Sequence, residues 1–175
     1  MKKYILAIIP ARKGSIRLKN KHLKKIGEKK LIDYTFDAVQ KSKRITKTIL
    51  MSNDEKIIKL AKKKSFLEIY NRPKKISNSN SHSKKYVEHV IKKFFFMNYF
   101  LPEYILILQP TTPFRSFVDI DRAINIIYNK SKSIIEEDYS VVPYWKVMIP
   151  QLDLFRISVH GINSSYFLPP LSIIK

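Results

Sequence analysis

The stretch Tyr4-Ile-Leu-Ala-Ile-Ile9, followed at once by Pro-Ala-Arg-Lys-Gly-Ser-Ile-Arg-Leu-Lys-Asn-Lys21, decides how the rest of the chain is read. A continuous apolar run has no polar face to turn towards water, so it predicts a strand covered on both sides. Its two leading lysines give it a superficial likeness to a signal peptide. The run is short, however, and more positive charge follows at Arg12 and Lys13, so a first core strand is the reading adopted.

Working outward, Thr48-Ile-Leu-Met51 and Tyr104-Ile-Leu-Ile-Leu108 repeat the pattern, and Tyr139 to Val142 is a weaker candidate. Between them the apolar period changes to that of helices. Ile32, Phe36 and Val39 fall on one face, as do Ile57, Ile58 and Ala61 behind Ser52-Asn-Asp-Glu55, which matches a capping box. Val87, Val90, Ile91 and Phe94 form a third face with Ser83 as its expected cap. Ile120, Ala123, Ile124 and Ile127 form a fourth behind Ser116. Strands alternating with amphipathic helices predict a three-layer α/β/α fold with a mainly parallel sheet. The length, 175 residues, suits one such unit.

Composition narrows the chemistry. With no cysteine there is no disulfide, thiolate metal site or cysteine nucleophile, which fits a reducing compartment. No apolar run approaches the roughly 20 residues that span a bilayer, so no membrane role and a cytoplasmic location are expected. The formal charge is +20, and 27 of the 34 basic residues are lysines. They sit mostly on polar helix faces, as in Lys62-Lys63-Lys64 and Lys92-Lys93, rather than along a stripe interleaved with aromatics. A solvated surface is therefore expected, not a specific nucleic-acid interface. Such a field would also gather a polyanionic substrate.

In an open α/β sheet, ligands bind beyond the carboxyl ends of the strands. The segment after the first strand is therefore the first place to look. A triphosphate needs backbone amides that can come close and fixed cations to offset its charge. Gly14 supplies the first, and Arg12, Arg17 and Lys21 the second. It is not a Walker loop, and an ordinary basic surface loop remains the competing reading. Ile76-Ser-Asn-Ser-Asn-Ser-His-Ser83 is polar and is either a plain connector or a loop presenting hydroxyls and amides to a ligand at a helix start. The histidines, 22, 82, 89 and 160, show no metal-ligand spacing, and Ser15 has no neighbouring base that would make it a nucleophile. Phe94-Phe-Phe96 with Tyr99 and Phe100 is expected in core or interface packing.

Ile9 to Lys21, with Gly27 and Lys29-Lys-Leu-Ile32 behind it, resembles the opening motif of the acylneuraminate cytidylyltransferases, I-P-A-R-x-G-S-K-x-L-P-x-K-N followed by G-x-P-L-I. Met51-Ser-Asn-Asp54 is similar to that family's V-S-T-D, and Asn71-Arg-Pro73 to its L-R-P. Leu108-Gln-Pro-Thr-Thr-Pro-Phe-Arg115 with Asp119-Ile120 is similar to L-Q-P-T-S-P-L-R…D-I. The resemblance covers residues 4 to about 142. It implies a Rossmann-like nucleotidyltransferase domain over 1–142, followed by a divergent or truncated segment, 143–175.

The same resemblance implies transfer of CMP from CTP to a nonulosonic, sialic-type acid with release of pyrophosphate. It gives Arg12 and Lys21 the catalytic roles and assigns nucleotide binding to Ala11, Arg12, Gly14, Ser15, Lys21, His22, Arg72, Ser81 and Ser83. Gln109 falls on the sugar side, and Mg²⁺ is the implied cofactor, with no ligands identifiable. A homodimer stays open. The sequence departs from the family pattern at Ile16, Lys19, His22 and Ser79, where lysine, proline, asparagine and aspartate are usual. An imidazole at 22 still donates a hydrogen bond. The family's later strand and carboxylate metal site have no counterpart after Val142. The alternative expectation is thus a nucleotide-binding pseudoenzyme without turnover.

Overall fold

The computed structural model describes residues 4–15, 18–77, 83–134, 146–149 and 152–156. The opening run is strand β1, Ile5–Ala11. After a single 3-10 turn at Lys21–Leu23, a small hairpin of β2, Lys25–Ile26, and β3, Lys29–Lys30, leads into helix α1, Leu31–Lys41. Then follow β4 (Lys47–Ser52), α2 (Glu55–Ala61), β5 (Leu67–Asn71), α3 (Ser83–Asn98), β6 (Tyr104–Ile107) and α4 (Phe117–Ile134). Two further strands, β7 (Lys146–Ile149) and β8 (Leu152–Arg156), close the described chain.

The main sheet has the order β5-β4-β1-β6-β8-β7, its first four strands parallel, β8 antiparallel to β6, and β7 antiparallel to β8. The expected three-layer, mainly parallel α/β/α arrangement is the one formed. β1 sits between β4 and β6, and its side chains alternate between two cores. Ile5, Ala7, Ile9 and Ala11 join the buried residues of α1, α2 and α4, while Leu6 and Ile8 join Val90, Ile91 and Phe94 of α3 on the opposite face. That two-sided burial is why the segment is apolar without alternation. Each fully buried Ile, Leu or Phe contributes about 1.5–3 kcal/mol relative to exposure, and Leu6, Ile8, Ile9, Phe36 and Phe94 are all inaccessible.

Several elements lay beyond the sequence reading. β5 carries Glu68 and Asn71 among its few apolar residues, and Glu68 pairs with Lys47 of β4 across the ladder. β7 and β8 fall in the segment set apart as divergent, and β8 pairs with β6 on the same sheet. The candidate strand at 139–142 lies outside the described residues.

The helix starts divide. Ser116 caps α4 as expected: its hydroxyl accepts from the Asp119 N–H at 3.2 Å, and the Asp119 carboxylate accepts from the Ser116 N–H at 2.9 Å. The capping box expected at Ser52 does not form. Ser52 is the last residue of β4, and Asp54 caps α2 by accepting from the Lys56 N–H at 3.0 Å. The pull of strand pairing on Ser52, opposite Ala11 and Asn71, outweighs its capping preference. α3 begins at Ser83, whose side chain lies outside the described residues.

At the end of α3, Phe94 is buried against Tyr4 and Phe100. Phe96 and Tyr99 stand 59% and 84% exposed, so the aromatic run is only partly core.

Candidate nucleotide-binding site

The order of the strands puts a reversal of direction at β1: the chain moves outward through β4 and β5, then returns to add β6 on the other side. The β1–β6 ladder ends at Ile8↔Ile107, with the Leu108 N–H donating to the Ile8 carbonyl at 2.9 Å. Pro10, two residues on, therefore presents its missing N–H where the ladder has already stopped, and a proline is tolerated there. Beyond it the loop from Arg12 crosses the strand ends.

Two bonds fasten this loop to the neighbouring strand. The Ser52 hydroxyl donates to the Ala11 carbonyl at 2.6 Å, and the Lys13 N–H donates to Asn53 Oδ1 at 2.8 Å. Within the loop, Arg12 Nη1 donates to the Gly14 carbonyl at 2.9 Å. Gly14 has φ 81°, a left-handed backbone that side-chain-bearing residues adopt at a cost, and a Cβ there would meet open space. Asn20 takes φ 56° and starts the 3-10 turn that carries Lys21 and His22.

These residues surround one cleft. Arg12, Gly14, Ser15, Lys21 and His22 line it with Asn20, and Asp54 and Ile57 form the far wall at the start of α2. The lining thus joins a guanidinium, an ammonium, a glycine backbone and a hydroxyl against one carboxylate. His22 is buried, and its imidazole is pushed down to about 4, first by burial and then by Lys21, with Asp54 opposing. It is a neutral hydrogen-bonding group at pH 7, not a third cation.

The other expected site residues stand apart from the lining. Ala11 is buried at the end of β1, its carbonyl taken by Ser52. Arg72 follows β5; its Nε and Nη2 both donate to the Ile76 carbonyl, at 2.9 and 2.6 Å, and its guanidinium lies 5.0 Å from the Tyr86 ring centre. Burial lowers its pKa, and Arg12 adds to that, which places the two guanidiniums within electrostatic reach. Gln109 is exposed just past β6, its carbonyl accepting from the Thr112 N–H at 3.3 Å and from Arg115. Arg115 is buried, donates to Thr35 Oγ1 at 3.4 Å, and is lowered to about 10 by burial, still a cation at neutral pH. Arg17 and Ser81 lie outside the described residues, as does the side chain of Ser83.

Sequence reasoning missed Asp54 as part of the cleft. The signal was present in Met51-Ser-Asn-Asp54, which reads as a cap and as a family motif without a site role for Asp54. Among the described residues no group of three or more metal-ligating side chains stands together. No described helix is long and apolar enough to cross a membrane.

Residues 6–148 match the family described as Cytidylyltransferase. The chain belongs to that family. This cytidylyltransferase chain is 26% identical over 184 aligned positions to the N-acylneuraminate cytidylyltransferase of Escherichia coli O18:K1:H7, covering 96% of this chain and 42% of that protein. It is 30% identical over 142 positions to the CMP-N,N'-diacetyllegionaminic acid synthase of Legionella pneumophila, covering 81% of this chain and 61% of the relative. It therefore spans about half the length of these curated relatives.

Among solved structures, a CMP:2-keto-3-deoxy-manno-octonic acid synthetase complexed with CTP superposes with a TM-score of 0.60 at 16% identity, over 74% of this chain and 49% of that one. A cytidylyltransferase from Leptospira borgpetersenii gives 0.58 at 15% identity, over 89% and 60%. At such identities the likeness concerns the cytidylyltransferase fold itself.

Proposed function

We propose that the chain transfers CMP from CTP to a nonulosonic, sialic-type acid. The observation that carries this reading is the cleft beyond β1, where Arg12, Lys21 and the Gly14 backbone converge in a chain of cytidylyltransferase family. The names of the curated relatives supply the acceptor class.

In the proposed reaction the acceptor hydroxyl oxygen attacks the α-phosphorus and loses its proton to solvent, the bond to the bridging oxygen breaks, and pyrophosphate leaves with the electron pair. Negative charge gathers on the phosphoryl oxygens and on the leaving group. Fixed cations and amides are therefore the main resource for such a step. Arg12, held through Nη1 by Gly14 O, and Lys21, on the 3-10 turn, would offset that charge. Neutral His22 would donate one hydrogen bond without adding charge. Gln109, just past β6, and Arg72, just past β5 with β1 and β4 between them, are proposed for the sugar and base ends of the substrate pair.

Mg²⁺ is the cofactor the resemblance implies. Among the described residues Asp54 is the one carboxylate lining the cleft, and it already caps α2. A single committed carboxylate does not make a protein-held magnesium site, which usually keeps one or two free carboxylates beside the substrate phosphates. No step is assigned to the ion. That same shortage favours a second reading, nucleotide binding without turnover.

Pyrophosphate release separates the two. The chain is incubated with CTP, Mg²⁺ and sialic, legionaminic or pseudaminic acid, and CTP binding is followed by calorimetry. Release above a heat-inactivated control is the expected result. Binding without release would leave the non-catalytic reading, and absence of both would remove the proposed site.

A further inference from the structure

Between α2 and the segment carrying Leu23 and Lys30 lies a second groove, with room for about 400 Å³ and a lining of Leu23, Lys30, Lys56, Lys59, Leu60 and Lys63. That size lies within the usual range for small-molecule sites. Its lining gathers four lysines around two leucines. Lys56 and Lys59 lie three apart on α2 and Lys63 two residues past its end, and all three line the groove, where their like charges repel. None of the four lysines has an ion-pair partner among the described residues, whereas Lys29 and Lys47 pair with Asp37 and Glu68. Among the described residues the lining holds no carboxylate.

Beneath this charge is an apolar floor. Leu23 and Leu60 are each only partly buried, and Leu23 also edges the nucleotide cleft, so the two sites adjoin at this side chain. A small hydrated anion would use the ammonium groups and leave the leucines wet. An anion carrying a carbon skeleton would use both.

We infer that the Leu23–Leu60 groove is a second binding site for an organic phosphate, its phosphoryl oxygens held by Lys56, Lys59 and Lys63 and its carbon skeleton lying on the two leucines. The ligand chemistry is a phosphate or diphosphate ester; a nucleotide and a lipid-linked phosphate both present it. This site is separate from the cleft of Arg12 and Lys21 and does not depend on what that cleft binds.

The test uses the full chain with Arg12→Ala and Lys21→Ala both present, so that the nucleotide cleft contributes little. Affinities for inorganic pyrophosphate, CMP and geranyl diphosphate are measured at about 50 mM salt, where phosphate contacts remain strong. Adding Lys56→Gln, Lys59→Gln and Lys63→Gln should weaken the better organic ligand by about tenfold or more, as expected when several charge-assisted contacts go. The exposed triple Lys41→Gln, Lys43→Gln and Lys85→Gln should leave it within about twofold. Leu60→Ser should weaken the organic ligand and spare pyrophosphate. Preference for CMP or for geranyl diphosphate identifies the source, and either supports the site. Equal losses in the two lysine triples would show a general charge effect and overturn the inference. So would binding of all three probes with one affinity, or absence of binding in the Arg12→Ala, Lys21→Ala background.

Discussion

The hydroxyl of Ser52 donates to the carbonyl of Ala11 at 2.6 Å across the β1–β4 ladder, and the same oxygen accepts from the Asp54 N–H at 3.0 Å. One fully buried side chain thus ties the end of the first strand to the start of α2, the two edges of the cleft. Ser52→Ala leaves a carbonyl and an N–H without this partner. Leaving a buried polar group unsatisfied costs about 1–3 kcal/mol, so a loss of about 2 kcal/mol is expected in urea unfolding. CTP affinity should fall as well, because Arg12 and Asp54 lose their common brace. Unchanged stability would mean that water or a shift of the loop replaces the hydroxyl.

Removing either cation tests the cleft directly. Charge-assisted hydrogen bonds contribute about 1.5–3 kcal/mol, so Arg12→Ala and Lys21→Ala should each weaken CTP about tenfold or more, with far-UV circular dichroism unchanged. Arg12→Lys should recover only part of the loss, since an ammonium cannot reproduce the guanidinium fork. Wild-type CTP affinity in both alanine variants would remove the site.

His22 makes the fold sensitive to acid. Its folded pKa, about 4, lies below the unfolded value of 6.5, so the unfolded chain takes up the proton first. Stability is then complete above pH 6.5 and declines as pH falls towards 4. Each pKa unit corresponds to about 1.4 kcal/mol, which gives a contribution of about 3 kcal/mol over this window. In His22→Asn that slope should disappear, while other groups keep theirs. The check is a comparison of the two proteins' urea midpoints between pH 7 and pH 4. Parallel curves would show that the imidazole is solvated in solution.

The outline of the fold was legible because the central strands are buried on both faces, and such strands leave continuous apolar runs at 4–9, 48–51 and 104–108. β5 was missed for the opposite reason. Its residues Leu67, Glu68 and Ile69 are only partly buried at the sheet edge, so Glu68 is tolerated and no run forms. The cleft was legible as a loop, since Gly14 and its cations follow a strand directly. Its far wall was not, because Asp54 comes from a segment 40 residues away that only parallel pairing of β1 with β4 brings alongside. Ser52 shows the limit most clearly: the local pattern reads as a cap, and a tertiary ladder decides otherwise.

The start of α4 offers a test in which the local pattern and the structure agree. The Ser116 hydroxyl and the Asp119 carboxylate each serve the other's backbone N–H, and Asp119 Oδ2 also accepts from Ser116 Oγ at 2.7 Å. These bonds from Ser116 hold the carboxyl below the usual carboxylate range, the side-chain bond first. Its contribution is therefore present at neutral pH and lost as pH falls through the lowered value. Ser116→Ala should cost about 1 kcal/mol, typical of an N-cap, and Asp119→Asn somewhat less. Because the two groups act through the same bonds, the double variant should cost less than the sum, and the deficit measures their coupling. Urea midpoints of the four proteins at pH 7 give that value, and strict additivity would show that the box does not form in solution.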